Sequence, residues 1–256
     1  MSRRIGIFLY GVVSYAVFFA TFLYAVGFIG NFGVPRTLDS KPANGLLPSL
    51  LVDLGLLGLF AVQHSVMARP VFKAWLTKAL PESAERSTYV LASSCAMIAM
   101  FYFWQPLGGL VWSVQDPMAR GALWGAYAFG WLVVLVSTFL INHFDLFGLR
   151  QVWLQLFERP YAALTFKTPG PYRYVRHPLY VGWLFCFWAT PTMTLSHLVF
   201  ALATTGYILI GIQFEERDLA AHLGQAYREY RERVPMLIPF TRRAHDRRAM
   251  AIRPRL

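Results

Sequence analysis

The feature that most limits this chain is a series of apolar runs, each long enough to match the thickness of a lipid bilayer. A hydrocarbon core takes about 20 apolar residues wound as a helix. The first run is Ile5 to Ile29, and the second is Leu46 to Val62, prolonged to Met67 across Gln63, His64 and Ser65. The third covers Ser87 to Trp104 and the fourth Gly121 to Ile141. The last, Leu179 to Phe214, is too long for one span. Pro191 interrupts it, followed by Thr192, Thr194, Ser196 and His197. This pattern predicts two helices folded back as a tight hairpin, the first one short, with His197 solvated at the outer bend. The expected fold is an all-α polytopic membrane protein with about six membrane-embedded helices. A further amphipathic helix, Ala220 to Val234, is expected to lie on the membrane surface.

Composition points the same way. Hydrophobic residues make up 56% of the chain and charged residues 14%, with a mean hydropathy of +0.43. Globular proteins carry roughly 25% charged residues, so this chain lacks the polar surface to coat its apolar content. Cys95 and Cys186 both fall inside apolar runs, which excludes a disulfide framework or a zinc-binding fold. Met1-Ser2-Arg3-Arg4 resembles the start of a signal peptide. The apolar run continues through Phe28 without a well-placed small-x-small cleavage site, so an uncleaved first span is expected.

The net charge of +11 is unevenly placed. With six spans and an inner N-terminus, all of the 24 Lys and Arg except Arg36, Lys41 and Arg120 fall on the cytoplasmic side. Both termini are therefore expected inside, and the arginines of the tail are expected to meet anionic lipid headgroups rather than nucleic acid. The sequence divides into helices over 1–142 and a functional core with a basic tail over 143–256. Two long cytoplasmic pieces, His143 to Pro178 and Glu215 to Leu256, flank the hairpin, which brings them to one membrane face.

The stretch from Thr168 to Gly182 holds most of the chemical information. Pro169, Gly170 and Pro171 make a turn that no helix continues through, and Pro178 suits the first turn of the short helix. Tyr172, Tyr174, Arg176, His177 and Tyr180 then cluster at a helix N-terminus. Such a cluster suits a ligand with an adenine ring, a carboxylate and a sulfonium; an interfacial belt of aromatic and basic residues is the other reading. Beyond the hairpin stand Glu215 and Glu216. Acidic groups where a span leaves the membrane need a partner or water, so Glu215 either faces a ligand's ammonium or hydroxyls or forms an ion pair with Arg176 or Arg217.

Together, Gly170-Pro-Tyr172, Arg176-His177-Pro178-Leu-Tyr180-Val-Gly182, Glu215-Glu216, Tyr227-x-x-Tyr230 and Val234-Pro235 to Pro239 resemble the isoprenylcysteine carboxyl methyltransferase superfamily. The resemblance implies an S-adenosylmethionine site at Tyr172, Arg176, His177, Pro178, Leu179, Tyr180, Glu215 and Glu216, with Phe166 and Lys167 just before the turn. Prenylcysteine enzymes place an arginine one helical turn before the glutamate, where it reads the substrate's carboxylate; here that position is Gly211. A carboxylate without a bidentate partner is poorly bound, so a small neutral or thiol acceptor is favoured. Gln63-His64-Ser65-Val-Met67-Ala-Arg69-Pro70, Glu85-Arg86-Ser87, Trp104-Gln105-Pro106 and Asn142-His143-Phe-Asp145 to Trp153 resemble the NnrU-type branch. The whole chain is most similar to the methanethiol S-methyltransferases, which make dimethyl sulfide. That resemblance implies a bacterial-type inner membrane, and an acceptor that is methanethiol or hydrogen sulfide.

An acceptor thiol must lose its proton, and an unperturbed thiol has a pKa of about 8.5. A base or cation beside it therefore helps. The expected set at the exit of the fourth run is His143 as proton acceptor, Asp145 to orient it and Arg150 to favour the anion. A capped, ion-paired helix end is the alternative for these three. His64 either lines the thiol pocket or bonds across helices. Two other functions remain open from the residues alone. One is an NADPH-dependent membrane reductase of a sterol-like substrate, sharing the Arg-His-Pro-x-Tyr tract. The other is a non-enzymatic membrane protein for heme or nitrogen-oxide handling.

Overall fold

The structure is a computed structural model that describes residues 1–162 and 167–241. Among the described residues, four helices are long and apolar enough to cross a membrane: α1 (Ser2–Gly30), α2 (Leu46–Met67), α5 (Pro117–Ile141) and α9 (Leu195–Leu223). At 1.5 Å per residue each reaches across a hydrocarbon core. A fifth, α4 (Glu82–Phe103), has the length, but Glu82 and Glu85 in its first turn dilute its hydropathy. Short elements fill the connections: α3 (Pro70–Leu76), α6 (His143–Leu146), α7 (Leu149–Leu156), a 3-10 turn at Gly170–Arg173, α8 (Pro178–Trp188) and α10 (Gln225–Arg233). The long helices keep Leu9, Leu51, Leu132 and Ile210 exposed. Apolar side chains on the outside as well as the inside are what a lipid solvent permits. The chain is a polytopic, helical membrane protein.

Local sequence sets the helix ends. Asn31 closes α1 in the left-handed conformation, with φ 59°. Asp116 caps α5 by accepting a 2.8 Å bond from Ala119 N, just before Pro117. Pro178 opens α8, and the chain turns at Pro191 into α9, giving the expected hairpin with a short first arm. Inside the bundle, Ala25, Phe28, Phe101, Trp131, Phe187 and Phe200 pack together as one core. Helix α8 lies flat on α5 because Gly130 and Gly182 meet at the crossing. A Cβ built on either would stand 2.8 Å from the other's carbonyl oxygen.

Three expectations are corrected. The bend between α8 and α9 is not a bare turn: β2 (Thr192–Thr194) pairs antiparallel with β1 (Leu110–Ser113). The ribbon satisfies backbone groups that a lipid environment would leave unpaired. His197 is not solvated but 1% exposed, bonded at 2.9 Å to the Phe187 carbonyl and facing Asp39, which Thr194 and Asn31 also hold. No separate helix starts at Ala220; α9 runs on to Leu223, and the break falls at Gly224, whose φ of +60° the next helix cannot continue.

Candidate active site

The hairpin sets the start of α8 against the last third of α9. Tyr180, one turn into α8, donates a 2.9 Å hydrogen bond to Glu215 Oε2. Next to it, Arg176 Nε donates to Glu216 Oε1 at 2.7 Å, and His177 Nε2 lies 3.1 Å from the same oxygen. Glu216 is buried, so the pairing with Arg176 offsets the loss of its hydration.

The chain after Gly224 returns to close this site. Arg176 Nη1 donates to the carbonyls of Arg231 and Val234, at 3.0 and 2.6 Å. The backbone N–H groups of Arg176 and His177 donate to Pro235 and Met236, at 2.9 and 3.2 Å. The Tyr230 hydroxyl donates to the Tyr172 carbonyl at 2.6 Å. The Tyr227-x-x-Tyr230 and Val234-Pro235 motifs thus form a clasp over the turn.

These bonds divide the sequence candidates. Arg176, His177 and Glu216 are bonded to one another, whereas Glu215 keeps 44% of its side chain exposed, with His177 Nδ1 at 3.9 Å. The Tyr172 hydroxyl is buried without a hydrogen-bond partner among the described residues. Burial, and then the Glu215 charge, raise the Tyr172 pKa, so the phenol keeps its proton and remains a donor. Pro178 is buried at the first turn, Lys167 is exposed, and Phe166 lies outside the described residues. So does the tail from Arg242 onward.

Beside this polar patch, a cavity of about 580 Å³ runs through the bundle between α1, α2, α4, α5, α8 and α9. Its walls are almost wholly apolar, with Phe22, Leu57, Met97 and Trp183 among them. Leu179 and Tyr180 join it to the patch, and Gly211 also faces it. A Cβ at Gly211 would meet nothing within 4 Å, so the position leaves open space where a side chain would project.

His64 and His143 both line this cavity. His143 does not pair with Asp145. Its Nδ1 is 2.8 Å from Thr138 Oγ1 and its Nε2 is 2.8 Å from the Tyr15 hydroxyl. Asp145 instead takes Arg150 at 2.8 Å and Tyr161 at 3.3 Å. Residues two apart on the single turn of α6 point to different sides, which separates the two groups. His64 is bonded to Tyr89, whose hydroxyl is 2.8 Å from Nε2, and to Ser93 at 3.2 Å from Nδ1. Tyr15, Thr138, Tyr89, Ser93 and Tyr207 were not singled out from sequence. The available signal was a tyrosine inside an apolar run, whose hydroxyl needs a buried partner.

The site is thus a carboxylate-bearing patch opening onto an apolar cavity within a helical membrane bundle. A family model described as phospholipid methyltransferase matches residues 126–229. The chain is 56% identical over 237 residues to methanethiol S-methyltransferase of Crocosphaera subtropica, covering 93% of each protein. It is 51% identical over 243 residues to that of Mycobacterium tuberculosis, covering 95% of this chain and 99% of the relative. Nurim of Sus scrofa is 30% identical over 183 residues, 68% of this chain and 69% of its own. No solved structure matches the chain. The chain belongs to the methanethiol S-methyltransferase family.

Proposed function

We propose that this protein transfers a methyl group from S-adenosylmethionine to methanethiol, forming dimethyl sulfide, with hydrogen sulfide as a second acceptor. The observation that carries this reading is Tyr180, which lines the apolar cavity while its hydroxyl holds Glu215 in the polar patch. One side chain thus joins a place for a polar, charged donor to a place for a small apolar acceptor. When bound, the donor supplies an electrophilic methyl group on a sulfonium. The half-exposed Glu215 carboxylate, the unpartnered Tyr172 hydroxyl and the ring of Tyr180 match an ammonium, hydroxyls and an aromatic base. In this reading Arg176, His177 and Glu216 hold the frame, Pro178 and Leu179 set the start of α8, and Lys167 lies just before the turn.

The acceptor side rests on the cavity's composition. A mostly apolar wall with Gly211 in place of a cation offers no ion-pair partner to a carboxylate and suits a small thiol. Water exclusion and alignment supply most of the rate in an in-line transfer to sulfur. The acceptor cavity is then walled by α1, α2, α4 and α5 together with α8 and α9, and the donor residues all fall after residue 142. We place α1, α2, α4, α5 and the α8–α9 hairpin in the membrane, with the patch, both termini and the basic tail on the cytoplasmic side. That orientation follows the distribution of Lys and Arg. A heme reading finds less support, since both ring nitrogens of His143 are engaged by Thr138 and Tyr15.

The test uses membranes carrying the protein, S-adenosylmethionine and methanethiol in sealed vials. Headspace dimethyl sulfide that depends on the donor and falls in Glu215→Gln is the expected result. Absence of product with every small thiol tried would remove this reading.

A further inference from the structure

The mechanism needs a group that takes the thiol's proton, and the cavity offers two imidazoles. They are not equivalent. The Thr138 hydroxyl spends its one hydrogen on the Leu135 carbonyl at 2.7 Å, so it accepts from His143 Nδ1–H. That leaves His143 Nε2 as an acceptor, and Tyr15 covers it. The rings of Phe139, Phe144 and Phe147 enclose the same imidazole. His143 is locked between α1 and α5 as a packing group.

His64 is arranged differently. Tyr89 and Ser93 of α4, Tyr180 of α8 and Tyr207 of α9 line the cavity with it. The Tyr89 hydroxyl stands within reach of both His64 nitrogens, at 2.8 and 3.0 Å. The His64 ring stacks on Phe60 with a centroid distance of 5.1 Å, which fixes its plane. Ser93 Oγ accepts from Gln63 Nε2 at 3.3 Å and from His64 Nδ1–H at 3.2 Å, which leaves His64 Nε2 as the acceptor facing the Tyr89 hydroxyl. Tyr89 and Tyr207 lie within electrostatic reach of Tyr180, the residue that joins the cavity to the patch. The Tyr207 hydroxyl is 3.1 Å from Ser65 Oγ, which holds it at the same level.

We propose that Tyr89 and His64 form the acceptor subsite for the thiol: the Tyr89 oxygen receives the S–H proton while its own hydrogen passes to His64. This rests on the methyl-transfer reading above. The S–H bond breaks with its electron pair left on sulfur, and that pair becomes the new S–C bond to the methyl, whose former bond to the donor sulfonium breaks with its pair left on the donor. One positive charge disappears from the donor sulfur and one appears on His64, so the donor site and the cavity taken together gain no net charge. Buried sites penalise an added charge heavily, and this exchange avoids adding one. The charged and titratable groups acting on Tyr89 are Arg86 and Glu85 of its own helix, Arg69 beyond α2, and Tyr207 of α9. The Arg86 guanidinium lies over the Tyr89 ring at 5.4 Å, where it favours a transient negative charge on the phenol or the thiol and, acting also on His64, opposes a lasting positive charge there.

The experiment compares wild type with Tyr89→Phe and His64→Gln in membranes, reading headspace dimethyl sulfide across pH at saturating donor, with donor binding measured separately. General base catalysis contributes roughly 10²-fold or more. We expect both variants to keep donor affinity within about twofold of wild type, to lose kcat by that order at neutral pH, and to recover as the pH rises and the thiol ionises unaided. An aromatic thiol, already ionised at neutral pH, should be methylated by Tyr89→Phe with a much smaller loss. A wild-type rate, a deficit constant across pH for both acceptors, or equal loss of donor binding would each overturn the proposal. If wild type methylates another thiol but not methanethiol, the acceptor assignment fails, and the same pH comparison with that thiol decides the role of Tyr89 and His64. If wild type methylates no thiol, both readings fall.

Discussion

Gly130 of α5 and Gly182 of α8 face each other with no room for a methyl group between their backbones, each hypothetical Cβ lying 2.8 Å from the opposite carbonyl oxygen. The contact fixes the height of α8 in the bundle. Tyr180 stands two residues before Gly182, so its reach to Glu215 depends on this crossing.

Replacing Gly182 with Ala forces the two backbones apart. Overpacking of this kind is destabilising by about 1–3 kcal/mol. A lower melting temperature in detergent is expected, together with weaker donor binding, because Tyr180 moves with the helix. Gly206→Ala is the control, since a Cβ there meets nothing within 4 Å. Equal melting of the two variants would contradict the packing argument.

Glu215 and Glu216 are neighbours with opposite expected phenotypes. Glu215→Gln removes a half-exposed charge and should raise the donor Kd by roughly tenfold to a hundredfold, as expected for a charge-assisted bond, with little change in melting. Glu216→Gln leaves Arg176 and His177 without their carboxylate. Breaking a buried pair of this kind is destabilising by about 3 kcal/mol or more, so this variant should be scarce in membranes and melt early. Calorimetry on both, with and without donor, separates the two effects.

Gly211→Arg tests the acceptor side. The side chain has space to enter the cavity, so folding should survive. A guanidinium in the apolar wall should lower methanethiol turnover by roughly tenfold or more, which requires only about 1.4 kcal/mol. Methylation of a thiol bearing a carboxylate should suffer less. A variant with unchanged dimethyl sulfide output would show that the acceptor sits elsewhere.

Burial holds the His143 pKa below its ordinary value of 6.5. The unfolded chain then binds the proton more readily than the folded one, so stability falls as the pH drops below about 6.5 and is complete above it. Wild type should therefore lose melting temperature on acidification. His143→Gln should start lower at neutral pH, having lost the bonds to Thr138 and Tyr15, but show a shallower acid slope. Melting curves at three or four pH values are sufficient.

The long helices were legible from sequence because length and hydropathy are properties of a run; the expected runs correspond to α1, α2, α4 and α5, whereas α9 continues past the expected end at Phe214 to Leu223. The turn at Gly170 and the start at Pro178 were legible because proline and glycine act locally. What could not be read were contacts between runs. His143 and Asp145 look like a pair at two residues' separation, and only the three-dimensional arrangement gives each a different partner, Tyr15 for one and Arg150 for the other. The solvated bend failed for the same reason. Leu110–Ser113, far upstream, covers the residues after Pro191, and Asp39 reaches His197 across the bundle.

The clasp formed by Tyr230, Arg231, Val234, Pro235 and Met236 has a consequence for how the protein is made. All the apolar helices precede these residues in the chain, so translation completes the membrane bundle before the turn around Tyr172 and Arg176 can be fastened. We expect a polypeptide stopped short of Tyr230 to keep the apolar helices and to lack the bonds that fasten the turn. The order of the chain thus puts the fastening of the site after the synthesis of the helices it fastens.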